Sequence, residues 1–589
     1  MFNINYQKYK KPDLNIMATQ VPPHPIYQPF DLDNFQAFNP IFTRFFSMTD
    51  DNYNLISLNN PYQAIDLWTV QDSNGQNKDA RVFVKFSPLI DPIKFMTGRY
   101  NLSDPTIYAL PNLSLSNVSP KIAGINNCAY TDCFFSYLSS MFGNTHDFLH
   151  SVHFYGSALA VQKTFRFNLN DDLDYLKTSE FFVNSIGSHI LLDKTTEYLL
   201  NSEIGTRDWS RAHREKIQIS DNADDIELDF DTFDNITQVS EANLDNGSAE
   251  DGFVEDGSVE DGSSENGSVE DGSSENGSVE DGSSEDGSED VHLQHSDSDS
   301  SLSSKSDTTG SEQSVSSWET TSSDDDNASY EDEYDNQINA YCYLKNMPVQ
   351  LIFQEQCKGT LDDLILFNNI SATEIVAALM QITCILYVYN NCFQFTHNDL
   401  HTSNIMFVET DKEYLYYKIQ GKYFKIPTYG RIYKLIDFGR AIYKYQGKTF
   451  CSDSFAMGGD AYSQYNCEPF FNDQKPRIEP NYSFDLCRLG CSLYDIINAS
   501  DDTDDKDEQL LYDIINKWCT DDEGKNILYK KNGQERYPDF KLYKMIARTV
   551  HNHTAKLQLV GNNATFDLYL CDNTPDITFF DLDALPKYV

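Results

Sequence analysis

Between Asp221 and Gln337 the chain carries 37 acidic residues and a single base, Lys305. Within that stretch a glycine recurs at every fifth position from Gly247 to Gly287, in a unit of the form Asp/Asn-Gly-Ser-Val/Ser-Glu. So few apolar side chains cannot offset the entropy lost on ordering a chain, and disorder is expected across 221–337. The period is too short and too poor in aliphatic positions for a solenoid, and its carboxylates lack the spacing of a calcium loop. Any fold must therefore be assembled from the segments on either side, with a long acidic insertion between them.

The tract also accounts for the charge. The formal net charge is −47, and setting aside 37 acids and one base leaves −11 for the rest. A balance of this sign argues against nucleic acid and against an anionic membrane surface as partners, since both select stripes of Lys and Arg. The flanks are aromatic, with 38 Phe and 36 Tyr in 589 residues, a load that a disordered chain does not carry. No apolar run follows Met1 to Lys11, so a signal peptide is not expected there. Ile375 to Tyr389 is apolar for 15 residues, broken by Gln381 and Thr383; it reads as a core helix too short to span a bilayer. The 12 cysteines are scattered without a CxxC pair, which points to free thiols in a reducing compartment.

Periodicity assigns the main elements. Arg81 to Phe86 and Val349 to Phe353 read as strands. Leu173 to Leu191 reads as a helix behind the acidic cap candidates Asn170 to Asp172. Ser371 should cap a long helix whose face carries Ile375, Leu379, Ile382, Leu386 and Tyr389. Strands early and long helices late suggest an α+β architecture in two lobes, a small β-rich one and a large helical one.

The chemistry concentrates in two short runs, His397-Asn-Asp-Leu-His-Thr-Ser-Asn404 and Tyr433-Lys-Leu-Ile-Asp-Phe-Gly439. Phosphoryl transfer requires a carboxylate to orient the attacking hydroxyl and oxygen ligands to hold Mg²⁺ against the phosphates. Asp399 suits the first task, and Asn404 with Asp437 suits the second. Together the two runs resemble the catalytic loop and DFG segment of the protein-kinase family. That resemblance implies ATP and Mg²⁺ as ligands and a protein hydroxyl as acceptor.

It implies further residues. Lys85 resembles the strand lysine that holds the α- and β-phosphates, and Glu180 its helix-borne partner. Glu180 would also fall within the apolar face formed by Leu173, Leu176, Val183, Gly187 and Ile190, where a carboxylate calls for a cation. Glu355 to Cys357 resembles the hinge whose backbone would meet adenine. Asp485 resembles the helix-start carboxylate that anchors the catalytic loop. The expected organisation is an N-terminal extension at 1–50, a small lobe beginning at 51–220 with an extra subdomain near 88–170, and the disordered insertion at 221–337. The last small-lobe strands and the hinge follow at 338–357, then the large lobe at 358–560 and a tail at 561–589.

The chain departs from the family pattern in several places. No glycine-rich loop precedes Lys85; the matching stretch, Ile56 to Ala64, has no glycine. Asn398 stands where the family has Arg, so a phosphate on Thr449, Ser452 or Ser454 would find no guanidinium there. The segment after Asp437 would instead be ordered by packing through Tyr462, Tyr465 and Phe470. His401 stands where serine/threonine kinases place Lys, and His401→Lys is expected to be tolerated. The hairpin around Gly421, with Lys425 to Ala441, is similar to the kinase-like proteins of large DNA viruses, which implies an intracellular setting in a host cytoplasm or a virion. The expected function is an active serine/threonine kinase. A pseudokinase scaffold is the alternative, favoured by the missing loop, and a small-molecule phosphotransferase is the third, favoured by Asp399-Leu-His401.

Overall fold

Val82–Pro88, alternating β-branched and aromatic residues, forms a strand that pairs antiparallel with Tyr341–Glu355, Lys85 lying opposite Ile352. Tyr341–Glu355 is central. Its other edge pairs with Phe154–Asn168, beyond which lies Leu32–Gln36, while Ile190–Leu192 pairs with Cys342–Leu344 on the same edge as Val82–Pro88 and completes the five-stranded sheet. The structure, a computed structural model, describes residues 2–170, 172–201, 340–368, 370–497, 505–562 and 564–589. The acidic tract at 221–337, and with it the expected disorder, lies outside the described residues.

The described residues on either side of the tract meet at the sheet. Tyr341 N donates to Thr196 Oγ1 at 2.7 Å, and Leu169 N to Ala340 O at 2.8 Å. The strand that follows the tract is thus seated beside the helix Lys194–Asn201 that precedes it. Deleting 221–337 is therefore expected to leave a soluble protein whose thermal midpoint moves by only a few degrees. Loop-closure entropy grows as the logarithm of length, about 0.6 kcal/mol per doubling. An insoluble or unfolded product in circular dichroism would contradict this.

A second core surrounds the helix Ala372–Phe393. Ser371 and Glu374 form a reciprocal capping box at its start, and most of its side chains are buried on every face. The apolar stretch is expected to be too short to cross a membrane. The helix has 22 residues and is long and apolar enough, but 83% of its apolar window is buried inside the protein. Against it lies a three-stranded sheet, Gly359–Thr360, Ile405–Glu409 and Arg431–Leu435, in which Ile405 pairs with Leu435. This register sets Asn404, just before one strand, beside Ile436, just after the other: Ile436 N donates to Asn404 O at 3.1 Å. The architecture is mixed α+β with several small sheets, and all twelve cysteines are free thiols.

His150 links this sheet to the rest. Its Nδ1–H donates to Tyr433 O at 2.7 Å, and its Nε2 accepts from Tyr417 OH at 2.8 Å. Burial lowers its pKa from 6.5 to about 4. Between those values the unfolded chain binds a proton that the folded one refuses, so stability falls as pH drops from 6.5 towards 4, by up to about 3 kcal/mol. Denaturant unfolding at several pH values should show that slope, and His150→Gln should flatten it.

One expected helix does not form. Leu173 to Leu191 is two short helices, Leu173–Lys177 and Glu180–Ser185, followed by the strand Ile190–Leu192. Ser179 interrupts the first by capping the second, its Oγ accepting from Phe182 N at 3.3 Å, and Gly187 turns the chain at φ +83°. The long helix of this region is Cys128–His146, started by Asn127, whose side chain accepts from Ala129 N. It contributes side chains to both cores.

Candidate active site

Lys85 Nζ lies 2.8 Å from Asp132 Oδ2 and 3.0 Å from Asp437 Oδ1. Three separate segments of chain meet here: a sheet strand, the first turns of Cys128–His146, and the residue two beyond the strand Arg431–Leu435. Asp132 does two jobs, because its Oδ1 accepts the Phe438 N–H at 2.8 Å while Oδ2 holds the lysine. Lys85 is 4% exposed and Asp132 1%. Burial raises the Asp132 pKa, Lys85 opposes that, and Asp437 adds to it.

Glu180 is not part of this cluster. It is exposed, in the first turn of its short helix. Ser179 breaks the apolar face that would have buried it. Lys85 pairs instead with Asp132, 47 residues along the chain.

The loop from His397 to Asn404 is anchored by Asp485 on the helix Phe484–Ile497. Its two oxygens accept from His397 N at 2.9 Å and Asn398 N at 2.8 Å. His397 Nε2 donates to Ile436 O at 2.9 Å, tying the loop to the residue before Asp437. Asn398 and Asp437 both take left-handed backbone, φ +65° and +62°, a region that short polar side chains tolerate and that clusters at functional sites. The Asn398 amide donates to Arg440 O at 2.9 Å and its oxygen accepts from Tyr465 OH at 2.8 Å. Of the aromatic residues expected to order the segment after Asp437, Tyr465 makes this direct tie.

Asp399 is nearly buried. Its Oδ1 accepts from Tyr543 OH at 3.2 Å, and Arg440 Nη1 lies 3.6 Å from Oδ2. Burial pushes its pKa up, but Arg440, His401, Arg488 and His397 together outweigh that and hold it below the usual carboxylate value. The group is an ionised acceptor at neutral pH. Asn404 Nδ2 donates to Asp399 O at 3.0 Å and lies 3.0 Å from His401 Nε2.

At the expected hinge, Glu355 is tied into the protein: its Oε2 lies 2.6 Å from Lys434 Nζ and accepts the His153 N–H at 3.2 Å. Cys357 is half-buried, and burial pushes its thiol up to about 12.

Past Asp437, carboxylates organise the chain. Asp453 pairs with Lys121 at 2.6 Å and accepts the Cys128 N–H at 3.0 Å, at the start of the Asp132 helix. Asp460 Oδ2 lies 2.6 Å from Arg440 Nη2. Sequence reasoning missed Asp132, Arg440, Asp453, Asp460 and Tyr543. For Asp132 a signal was present: it is the sole acidic or basic residue between Cys128 and Thr145, in a run otherwise aromatic and small.

No protein-family model matches the chain. A stretch of 66 residues is 32% identical to the uncharacterized protein ZK177.2 of Caenorhabditis elegans. That stretch is 11% of this chain and 22% of that protein, a local similarity that assigns no activity.

Proposed function

We propose that the chain is an ATP-dependent phosphotransferase, a serine/threonine protein kinase whose two lobes hold ATP between them. The observation that carries this reading is the meeting of Lys85 with Asp132 and Asp437, because a lysine held by a helix carboxylate beside a metal-binding Asp is what phosphate alignment requires. Lys85 would bind the α- and β-phosphates. Asp399, ionised and fixed by Tyr543, would orient the acceptor hydroxyl and take its proton.

The residues also fit Mg²⁺. The nitrogen of the Asn404 amide is turned to Asp399 O and His401, which leaves its oxygen as the ligand atom. Lys85 Nζ and Gly439 N both meet Asp437 Oδ1, so Oδ2 takes part in neither contact. Magnesium held there would offset phosphate charge. Transfer of label from γ-labelled ATP to generic protein acceptors, with Mg²⁺, tests the reading; no transfer above background would overturn it.

A second reading, a scaffold that binds nucleotide weakly, draws on one observation. Ahead of Lys85 the chain forms short strands at Ile56–Leu58 and Tyr62–Ala64, joined by Asn59, Asn60 and Pro61, with no glycine to bring backbone close to phosphate. The same transfer assay separates the two.

Turnover should not depend on phosphorylation after Asp437. Ser452 is fully buried and its Oγ accepts from Ser454 N at 3.2 Å. Asp453 and Asp460 already supply the anions that pair with Lys121 and Arg440. Phosphatase treatment is expected to leave the rate unchanged; a loss of activity would show that a phosphate is needed.

A further inference from the structure

We propose that His401 is a positioning residue that holds the Asn404 amide with its oxygen turned outward as a metal ligand. This rests on the phosphotransferase reading. The Asp399 carbonyl can only accept, so the atom of Asn404 that lies 3.0 Å from it must be the nitrogen. An amide nitrogen has two hydrogens. The second meets His401 Nε2 at 3.0 Å, which fixes the imidazole as an acceptor at Nε2 with its proton on Nδ1. With both hydrogens committed to the protein, the amide cannot rotate without breaking two bonds.

Asn404 and His401 are both buried, at 4% and 9% exposure, so neither bond is readily exchanged for water. The three-residue helical turn Thr402–Asn404 brings the two side chains together, with Asn404 N donating to His401 O at 3.0 Å. His401 thus acts on the ligand residue. A lysine at this position has donors only. His401→Lys would set an ammonium against the Asn404 N–H groups, so the tolerance expected from sequence is replaced by an expected loss.

The test is calorimetric titration of ATP at graded Mg²⁺ concentrations, with the full chain. In His401→Leu the gain in ATP affinity conferred by metal should fall about 10- to 100-fold, the range typical for partners that orient a ligand. Affinity without metal should be unchanged. His401→Gln, whose side-chain oxygen can accept from Asn404, should keep most of the gain. Asn404→Ala combined with His401→Leu should be no worse than Asn404→Ala alone, since both act through one amide. Where His401→Leu fails to fold, His401→Phe supplies the same loss of acceptor at closer volume. Full metal enhancement in His401→Leu or His401→Phe, or losses that multiply in the double variant, would overturn the inference alone. No metal enhancement in the wild type would overturn the phosphotransferase reading and this inference with it.

Discussion

Asp132→Ala is expected to lower stability by about 3 kcal/mol and to weaken ATP binding sharply, while Glu180→Ala changes neither. The magnitude follows from what Asp132 does. Its removal leaves the buried Phe438 N–H without its acceptor, which costs about 1–3 kcal/mol. It also removes one of the described carboxylates that pair with Lys85, which is 4% exposed, and a buried ammonium that loses a partner is strongly penalised. Asp437 remains 3.0 Å from Lys85, so the lysine is not stranded and the protein should still fold. Denaturant unfolding and ATP titration of the two variants side by side would check this. Equal effects in both, or a larger one at Glu180, would show that Lys85 is held in some other way.

Asp399→Asn should behave in the opposite manner, with turnover falling about 10²- to 10⁴-fold, the usual yield of general-base catalysis, and ATP affinity nearly intact. The Asn oxygen can still accept from Tyr543 OH, and Arg440 keeps Asp460 at 2.6 Å, so the surrounding loop should hold its shape. Nucleotide contacts are assigned to other residues, and an interaction made only with the attacking hydroxyl lowers the rate without changing ground-state binding. A variant that retained full turnover would remove Asp399 from the proposed chemistry.

These two outcomes also separate what the sequence makes legible from what it does not. Asp399, Asn404 and Asp437 lie in short runs whose residue types and spacing resemble the kinase pattern on which the proposed chemistry rests. Asp485 was legible through its resemblance to the helix-start carboxylate of the kinase pattern. Asp132 could not be found by periodicity, because Cys128–His146 is buried around most of its circumference and shows no polar face to count against. Its one carboxylate was nonetheless the better candidate, since a lone charge in an apolar run requires a partner wherever the helix goes. Glu180 was assigned on a helical face that Ser179 and Gly187 break. Tyr543 meets Asp399 from 144 residues away, and Arg440 reaches Asp460 across a turn whose course depends on Asp453 at the start of another helix. Contacts of this kind are set by tertiary packing, and no local pattern announces them.

Several departures from the kinase pattern share one theme. Asn398 has no charge to offer a phosphate, and Arg440 and Lys121 find their anions in Asp460 and Asp453 instead. His401 serves Asn404. On the proposed reading, with no glycine-rich stretch ahead of Lys85 in the sequence, Lys85 and a bound metal would meet more of the phosphate charge. Nucleotide binding should accordingly depend on metal to an unusual degree.

Calorimetric titration of ATP into wild type and Asp437→Ala, with and without Mg²⁺, tests the central claim most directly. The account predicts binding in the wild type that strengthens markedly with Mg²⁺ and a loss of that strengthening in Asp437→Ala. Binding that ignores Mg²⁺ and survives unchanged in Asp437→Ala, or no binding by the wild type at all, would contradict it.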